Sequence, residues 1–206
     1  RGESNAWGPP DTASMEPWYS PAAWAAVRLA SKSHGDVPVR LPNGEVLLVL
    51  ASHPTPPGFD GVARRNNHRN HDEVQFWSDY LNQAAYVEDD SGRGGGLHDD
   101  APFLVMGDLN ADPDDASIFR NAIRHLIGHE RVDGGVVPEA SPARQADYPD
   151  LDPDDTSRWG ARIDYVLPAV TVAVDDAGVW RPAPARVPDV PVSDHFPVWV
   201  DVRVGP

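Results

Sequence analysis

The chain has 206 residues, enough for one domain with a substantial core, since domains usually run about 100–200 residues. Its net charge is −15 with a single lysine, Lys32, which weighs against a duplex-binding surface that must neutralise many phosphates with Lys and Arg. The lack of cysteine excludes disulfides, thiolate zinc sites and cysteine nucleophiles. No apolar run reaches the roughly 18 residues of a membrane-spanning helix.

Acidic balance, 22 prolines and Arg in preference to Lys are also ordinary for a high-GC genome, so acidity alone assigns no function. The first residues, Arg1-Gly2-Glu3-Ser4, carry no initiator Met and no signal-peptide pattern and read as a mature or trimmed chain. Residues 1–35 read as an irregular and helical lead-in. Asn5-Ala6-Trp7-Gly8-Pro9-Pro10 is punctuated like a loop, and Ser20-Pro21 opens a helix, with Ser20 as N-cap and Trp24, Val27 and Leu29 on its apolar face. Trp7, Trp18 and Trp24 either line a pocket or simply pack.

Val37 to Ser52 reads as a hairpin about Pro42-Asn43-Gly44. Its second strand, Val46 to Ala51, is apolar throughout, as a central strand buried on both faces would be, and delivers Ser52-His53-Pro54 to its end. The one basic cluster, Arg64-Arg65-Asn66-Asn67-His68-Arg69-Asn70-His71, either binds an anion through Arg forks or is a solvated helix start. Asn70 or His71 then leads a helix to about Val87, with Val74, Trp77, Leu81 and Ala84 or Ala85 at helical spacing.

Asp89 to Asp100 is a Gly-rich surface loop whose Gly94-Gly95-Gly96 lacks the helix and lysine of a phosphate loop. Phe103 to Met106 is a short buried strand running into Gly107-Asp108-Leu109-Asn110, with a carboxylate and a carboxamide at its carboxyl end, where ligands collect in layered α/β folds. On an extended chain Asp108 and Asn110 point to the same side. Asp114 or Asp115 caps a helix with Ile118, Ala122, Ile123, Leu126 and Ile127 on one face.

Ala140 to Gly160 is a long polar loop. Its aspartates, Asp147 to Asp155, have no calcium-loop spacing and read as solvated. The strand Ile163 to Leu167 carries Asp164 among apolar neighbours. A buried carboxylate costs several kcal/mol unless paired, so Asp164 requires a partner. A strand near Val170 to Val174 follows, then a Pro-rich loop to Val192-Ser193-Asp194-His195-Phe196-Pro197. The alternating Val198, Val200, Val202 and Val204 close the chain as a half-buried strand.

G-D-L-N at 107–110, R-I-D-Y-V-L at 162–167 and S-D-H-F-P-V at 193–198, in that order and with His53 ahead of them, resemble the endonuclease/exonuclease/phosphatase superfamily, the deoxyribonuclease-I-like fold. The resemblance covers about Val37 to Val204, and the stretch from His53-Pro54-Thr55-Pro56-Pro57 to Arg69-Asn70 is similar to secreted-type bacterial members. It implies a four-layer α/β sandwich, two packed mixed β-sheets flanked by helices, with residues 1–206 forming a single domain of this type. Family members begin with a strand carrying an Asn and another ending in a metal-binding Glu. Neither motif precedes Val37, and Asn5, Glu16 and Glu45 lie in no matching context, so the chain reads as the carboxyl-terminal two-thirds of the domain, with a separate amino-terminal fragment as one means of completing it.

The resemblance also implies roles. His195 handles the attacking water, as general base or phosphate-orienting acid, and Asp164 holds its imidazole. Asp194 and Asp108 bind a divalent metal, Asp108 also positions the water, Asn110 hydrogen-bonds the phosphoryl oxygens and His53 contacts phosphate. Arg64, Arg69 and Asn70 are the candidate substrate-binding residues. An oxygen-rich donor set suits magnesium, manganese or calcium better than zinc. The implied activity is metal-dependent hydrolysis of a phosphate mono- or diester, small or lipid-linked, by in-line attack of water, outside the cytoplasm. The alternatives are a nuclease of the same fold, disfavoured by charge, and a catalytically incomplete binding module.

Overall fold

The computed structural model describes residues 20–58, 60–61, 64–97, 100–183 and 193–205. The expectations for Trp7, Trp18 and Glu16, and for the side chain of Trp24, lie outside the described residues. The chain folds as two compact units: one takes the chain up to His34, Ser52–Asp99 and Leu109–Leu126, and the other takes Gly35–Ala51, Asp100–Asp108 and the chain from Ile127 onward. Among the described residues no helix is long and apolar enough to cross a membrane.

The second unit holds both sheets. Strands β1 (His34–Arg40), β2 (Val46–Ser52), β3 (Phe103–Asp108) and β4 (Asp164–Pro168) form a mixed four-stranded sheet in that order. The Asn-Gly signal gives the expected hairpin, with Leu41 N–H donating to Glu45 O and Gly44 N–H to Leu41 O. β2 is central, as its apolar run requires, and pairs parallel with β3 from Leu48↔Phe103 to Ala51↔Met106. Parallel neighbours need a long crossover, here the segment Ser52–Asp99 of the first unit. β3 pairs antiparallel with β4, from Leu104↔Pro168 to Asp108↔Asp164. Phe103, Leu104, Val105, Val166 and Leu167 are buried in this pairing, and each such side chain contributes about 1.5–3 kcal/mol when fully buried.

Strands β5 (Ala173–Val179) and β6 (Val198–Arg203) form a second, antiparallel sheet. β6 alternates half-buried and exposed positions, as its valines at every second residue demand. β5 begins later than the expected Val170, because Ala169 to Thr171 turn and Val172 N–H bonds back to Ala169 O. Mixed sheet, second sheet and helices together make the α/β fold that the motifs implied.

In the first unit, α1 (Pro21–Ala26) starts as expected, with the Ser20 hydroxyl accepting from Ala23 N–H at 3.2 Å. α2 runs Arg65–Leu81, so the expected start at Asn70 or His71 is corrected by about a turn and a half. The cause is Asp60, whose carboxylate accepts from Asn66 N–H at 2.7 Å and Asn67 N–H at 2.8 Å and so caps the helix from outside its own sequence. α3 spans Asn121–Ile127, later than Asp114 or Asp115. The Asp112 and Asp115 carboxylates instead accept from Asp114 and Ser117 N–H in local turns.

Val74, Trp77 and Leu81 of α2 are buried as its periodicity predicts. Trp77 Nε1 donates to Ser52 Oγ at 2.7 Å, and His34 lies against Phe76 and Trp77, ring centroids 4.6 and 5.1 Å away. Burial pushes the His34 imidazole below its ordinary value, outweighing both its hydrogen bond to Glu73 O and the charge of Glu73. A histidine held neutral contributes stability above its unfolded pKa of about 6.5 and loses it as pH falls. Thermal unfolding of His34→Gln should therefore lose less stability than the parent between about pH 7.5 and about pH 5.5. Equal losses would show that His34 does not titrate with folding.

Candidate active site

The β3–β4 register sets the Cα atoms of Asp108 and Asp164 directly opposite one another at the strand ends. Residues so paired put their side chains on the same face about 4.5–5.5 Å apart, and like charges in that position repel. The third group is His195, from the segment just before β6. Its Nδ1 lies 2.8 Å from Asp164 Oδ2, while its Nε2 lies 4.0 Å from Asp108 Oδ2 and 3.9 Å from Asp194 Oδ1. Asp164 thus has the partner its position required.

Backbone demands explain part of the motifs. Gly107 sits at φ +139° and Asn110 at φ +51°, values that glycine and asparagine tolerate better than other residues. β3 ends at Asp108, and the left-handed turn at Asn110 means that the two-residue alternation expected to align Asp108 with Asn110 does not carry past the strand. In S-D-H, Ser193 Oγ accepts from His195 N–H at 3.0 Å and fixes a local turn.

The loop before β4 clamps the same segment. Thr156 Oγ1 accepts from both Ile163 and Asp164 N–H at 3.0 Å, while Thr156 O accepts from Phe196 N–H at 2.7 Å. One residue therefore sets the backbone of Asp164 and that of the residue after His195. Arg158 N–H donates to Asp194 O at 2.9 Å and Arg158 Nε to Ser193 O at 3.0 Å. Arg181, only 1 % exposed, sends its guanidinium into the loop and donates to Gln145 Oε1 and to the carbonyls of Asp152, Pro153 and Asp155. The aspartate run is therefore not simply solvated: Asp155 is buried and accepts from Asp152 N–H. Thr156 and Arg181 carry no sequence signal beyond their neighbourhood, since their partners are mostly backbone groups.

Burial alone would lower the His195 pKa. The hydrogen bond and charge of Asp164, followed by the charges of Asp108 and Asp194, outweigh it and raise the pKa above the ordinary histidine value. With Nδ1–H donated to Asp164, Nε2 is the ring nitrogen turned toward Asp108 and Asp194.

Asp108, Asp164 and His195 also form a candidate metal cluster, with ligand atoms all within 4.8 Å of one another. The 2.8 Å contact engages His195 Nδ1 and Asp164 in a hydrogen bond. The donors that fit a hard cation are then the carboxylates of Asp108 and Asp194, which both approach Nε2. Asp194 is the open one, its side chain 72 % exposed.

The remaining sequence candidates fall in the first unit. His53 is exposed, and its carbonyl accepts from Lys32 Nζ at 3.2 Å. Asn110 Nδ2 donates to Pro54 O at 3.2 Å. Asn70, buried, donates to Thr55 O and Leu109 O at 2.9 Å and to Asn110 O at 3.2 Å, tying the turn after β3 to the turn after β2. Arg64 donates to Ser117 O and covers the Phe119 ring at 4.1 Å. Arg69 donates to Leu29 O and Arg28 O and lies 3.8 Å from Glu73. These groups hold the fold through backbone carbonyls, a third role beside the anion site and the solvated helix start expected of the basic cluster. Glu73, 1 % exposed, accepts from Ser31 and Thr55 N–H. Sequence reasoning missed it, and its one signal is the i,i+4 spacing to Arg69.

Asp164→Asn should bring the His195 pKa down relative to the parent, read by NMR titration of the imidazole Cε1 proton in metal-free buffer; an unmoved titration would remove Asp164 as the cause. Asn70→Ala should cost about 1–3 kcal/mol in denaturant unfolding by stranding buried carbonyls, and a loss within error would show that water satisfies them.

The model of the Endonuclease/Exonuclease/phosphatase family matches residues 16–195. Among solved structures, an endonuclease/exonuclease/phosphatase from Beutenbergia cavernae is 21% identical, with TM-score 0.48 over 82% of this chain and 39% of that one. A mannosyl-6-phosphatase from Bacteroides thetaiotaomicron is 18% identical, TM-score 0.41, over 78% of this chain and 52% of that one. A beta toxin from Staphylococcus aureus is 17% identical, TM-score 0.41, over 78% and 54%. This chain thus spans about two-fifths to just over half the length of these proteins. No curated protein matches it. With the family model covering most of the sequence and all three motifs in place, the chain belongs to the endonuclease/exonuclease/phosphatase family.

Proposed function

We propose that this chain carries the hydrolytic centre of a divalent-metal-dependent phosphoesterase acting on a small or lipid-linked phosphate mono- or diester. The observation that supports it most is the 2.8 Å His195–Asp164 pair, with the carboxylates of Asp108 and Asp194 about 4 Å from the outer imidazole nitrogen. Asp164 fixes the tautomer and orientation of His195. Nε2 then takes a proton from the attacking water or, when protonated, donates to a phosphoryl oxygen. Asp108 positions that water. By resemblance to the family, Asn110 and His53 are the proposed contacts to the phosphate.

Magnesium, manganese or calcium on Asp108 and Asp194 would supply Lewis-acid stabilisation of charge developing on the phosphoryl oxygens. An all-carboxylate donor pair favours these hard cations over zinc. The nuclease reading is weaker because a polynucleotide would meet a net charge of −15 and one lysine.

Hydrolysis of bis-p-nitrophenyl phosphate should require magnesium, stop with EDTA and fall about 10²–10⁴-fold in His195→Ala, the usual cost of losing a general acid–base. Turnover indifferent to the chelator or to the substitution would exclude this site. Plasmid nicking faster than release from small esters would favour the nuclease.

A further inference from the structure

Beside His195 stands an aromatic side chain that neither the dyad nor the fold requires. Trp159 is 57% exposed, and its ring lies perpendicular to the His195 imidazole, centroids 5.4 Å apart at 86°. Large apolar side chains left in water are uninformative when scattered, but this one is held in place. It occupies a tight turn in which Thr156 and Ser157 N–H both bond to Ala161 O, at 3.0 and 3.1 Å. Gly160 closes the turn at φ +78°, which a side chain would strain.

The residue before Trp159 is fixed on the His195 segment through its backbone, its Nε and its guanidinium, which lies 4.9 Å over the Phe196 ring. Ser157 pairs with His195 as an isolated bridge. The turn is therefore pinned to the segment that carries the imidazole, and what it presents to solvent there is an indole. Among the described residues, the side chains that approach Nε2 are the carboxylates of Asp108 and Asp194, and the indole of Trp159 is the apolar surface against the imidazole, where the organic part of a phosphate ester held there could lie.

We propose that Trp159 is a specificity residue, and that its indole packs on a ring in the organic part of the phosphate ester, either an aromatic ring or the C–H face of a sugar. This rests on the phosphoesterase reading above. A rigid aromatic side chain binds such faces with little conformational cost, and aromatic packing of this kind changes affinity a few-fold to about tenfold.

The test uses the full chain with magnesium and measures inhibition constants against bis-p-nitrophenyl phosphate turnover for phenyl phosphate, glucose 6-phosphate and glycerol 3-phosphate. In Trp159→Ala, the ring-bearing inhibitors should weaken about 3- to 10-fold relative to the ringless one, and Trp159→Phe should retain most of the preference. Whichever ring loses more identifies the class. A preference unchanged by either substitution, with turnover intact, would overturn the role of Trp159 alone. Absence of turnover in the parent would overturn the hydrolase reading, and this inference with it.

Discussion

The arrangement depends on a repulsion. Pairing β3 with β4 in the observed register forces two carboxylates, Asp108 and Asp164, to face one another at the end of a strand pair that is buried at Phe103 to Val105 and at Tyr165 to Pro168. Tyr165 to Pro168 are buried at consecutive positions, so both faces of β4 are packed in this register, and the register fixes the charges. The imidazole of His195 relieves the conflict by bonding one carboxylate and lying near the other. Against the effect of burial, the Asp164 hydrogen bond and the neighbouring carboxylates raise its pKa above the ordinary histidine value.

Motif and geometry coincide at β3, β4 and the 193–196 turn because the residue types there answer two demands at once. Gly107 and Asn110 satisfy the backbone, while Asp108, Asp164 and His195 bring half-buried charge together beside an apolar core. Such residues are conspicuous in a sequence, since an acid in an apolar run needs a reason. The strands are legible for the same cause: Val46 to Ala51 and Phe103 to Met106 are short, apolar and bounded by turn residues, and β6 shows its alternation openly.

What is not legible lies in contacts between distant segments. The start of α2 is set by Asp60, before the helix, and no local pattern announces it. The basic cluster reads as an anion site or a wet helix end because arginines and asparagines look alike whether they bind ligand or backbone. Arg64, Arg69 and Asn70 bond carbonyls of other loops. Composition reveals the donors but not the acceptors, since every residue supplies a carbonyl. Trp159 is invisible for a related reason: its importance comes from where its neighbours are pinned, not from its own spacing.

The guanidinium of Arg181 has a further consequence. Carbonyls of an aspartate-rich loop converge on it, an arrangement that elsewhere would gather around an inorganic ion. Here the positive charge is covalently part of the chain and stays charged throughout the ordinary pH range. The loop that seats Asp194 and His195 therefore takes the positive charge at its centre from the chain itself rather than from the medium.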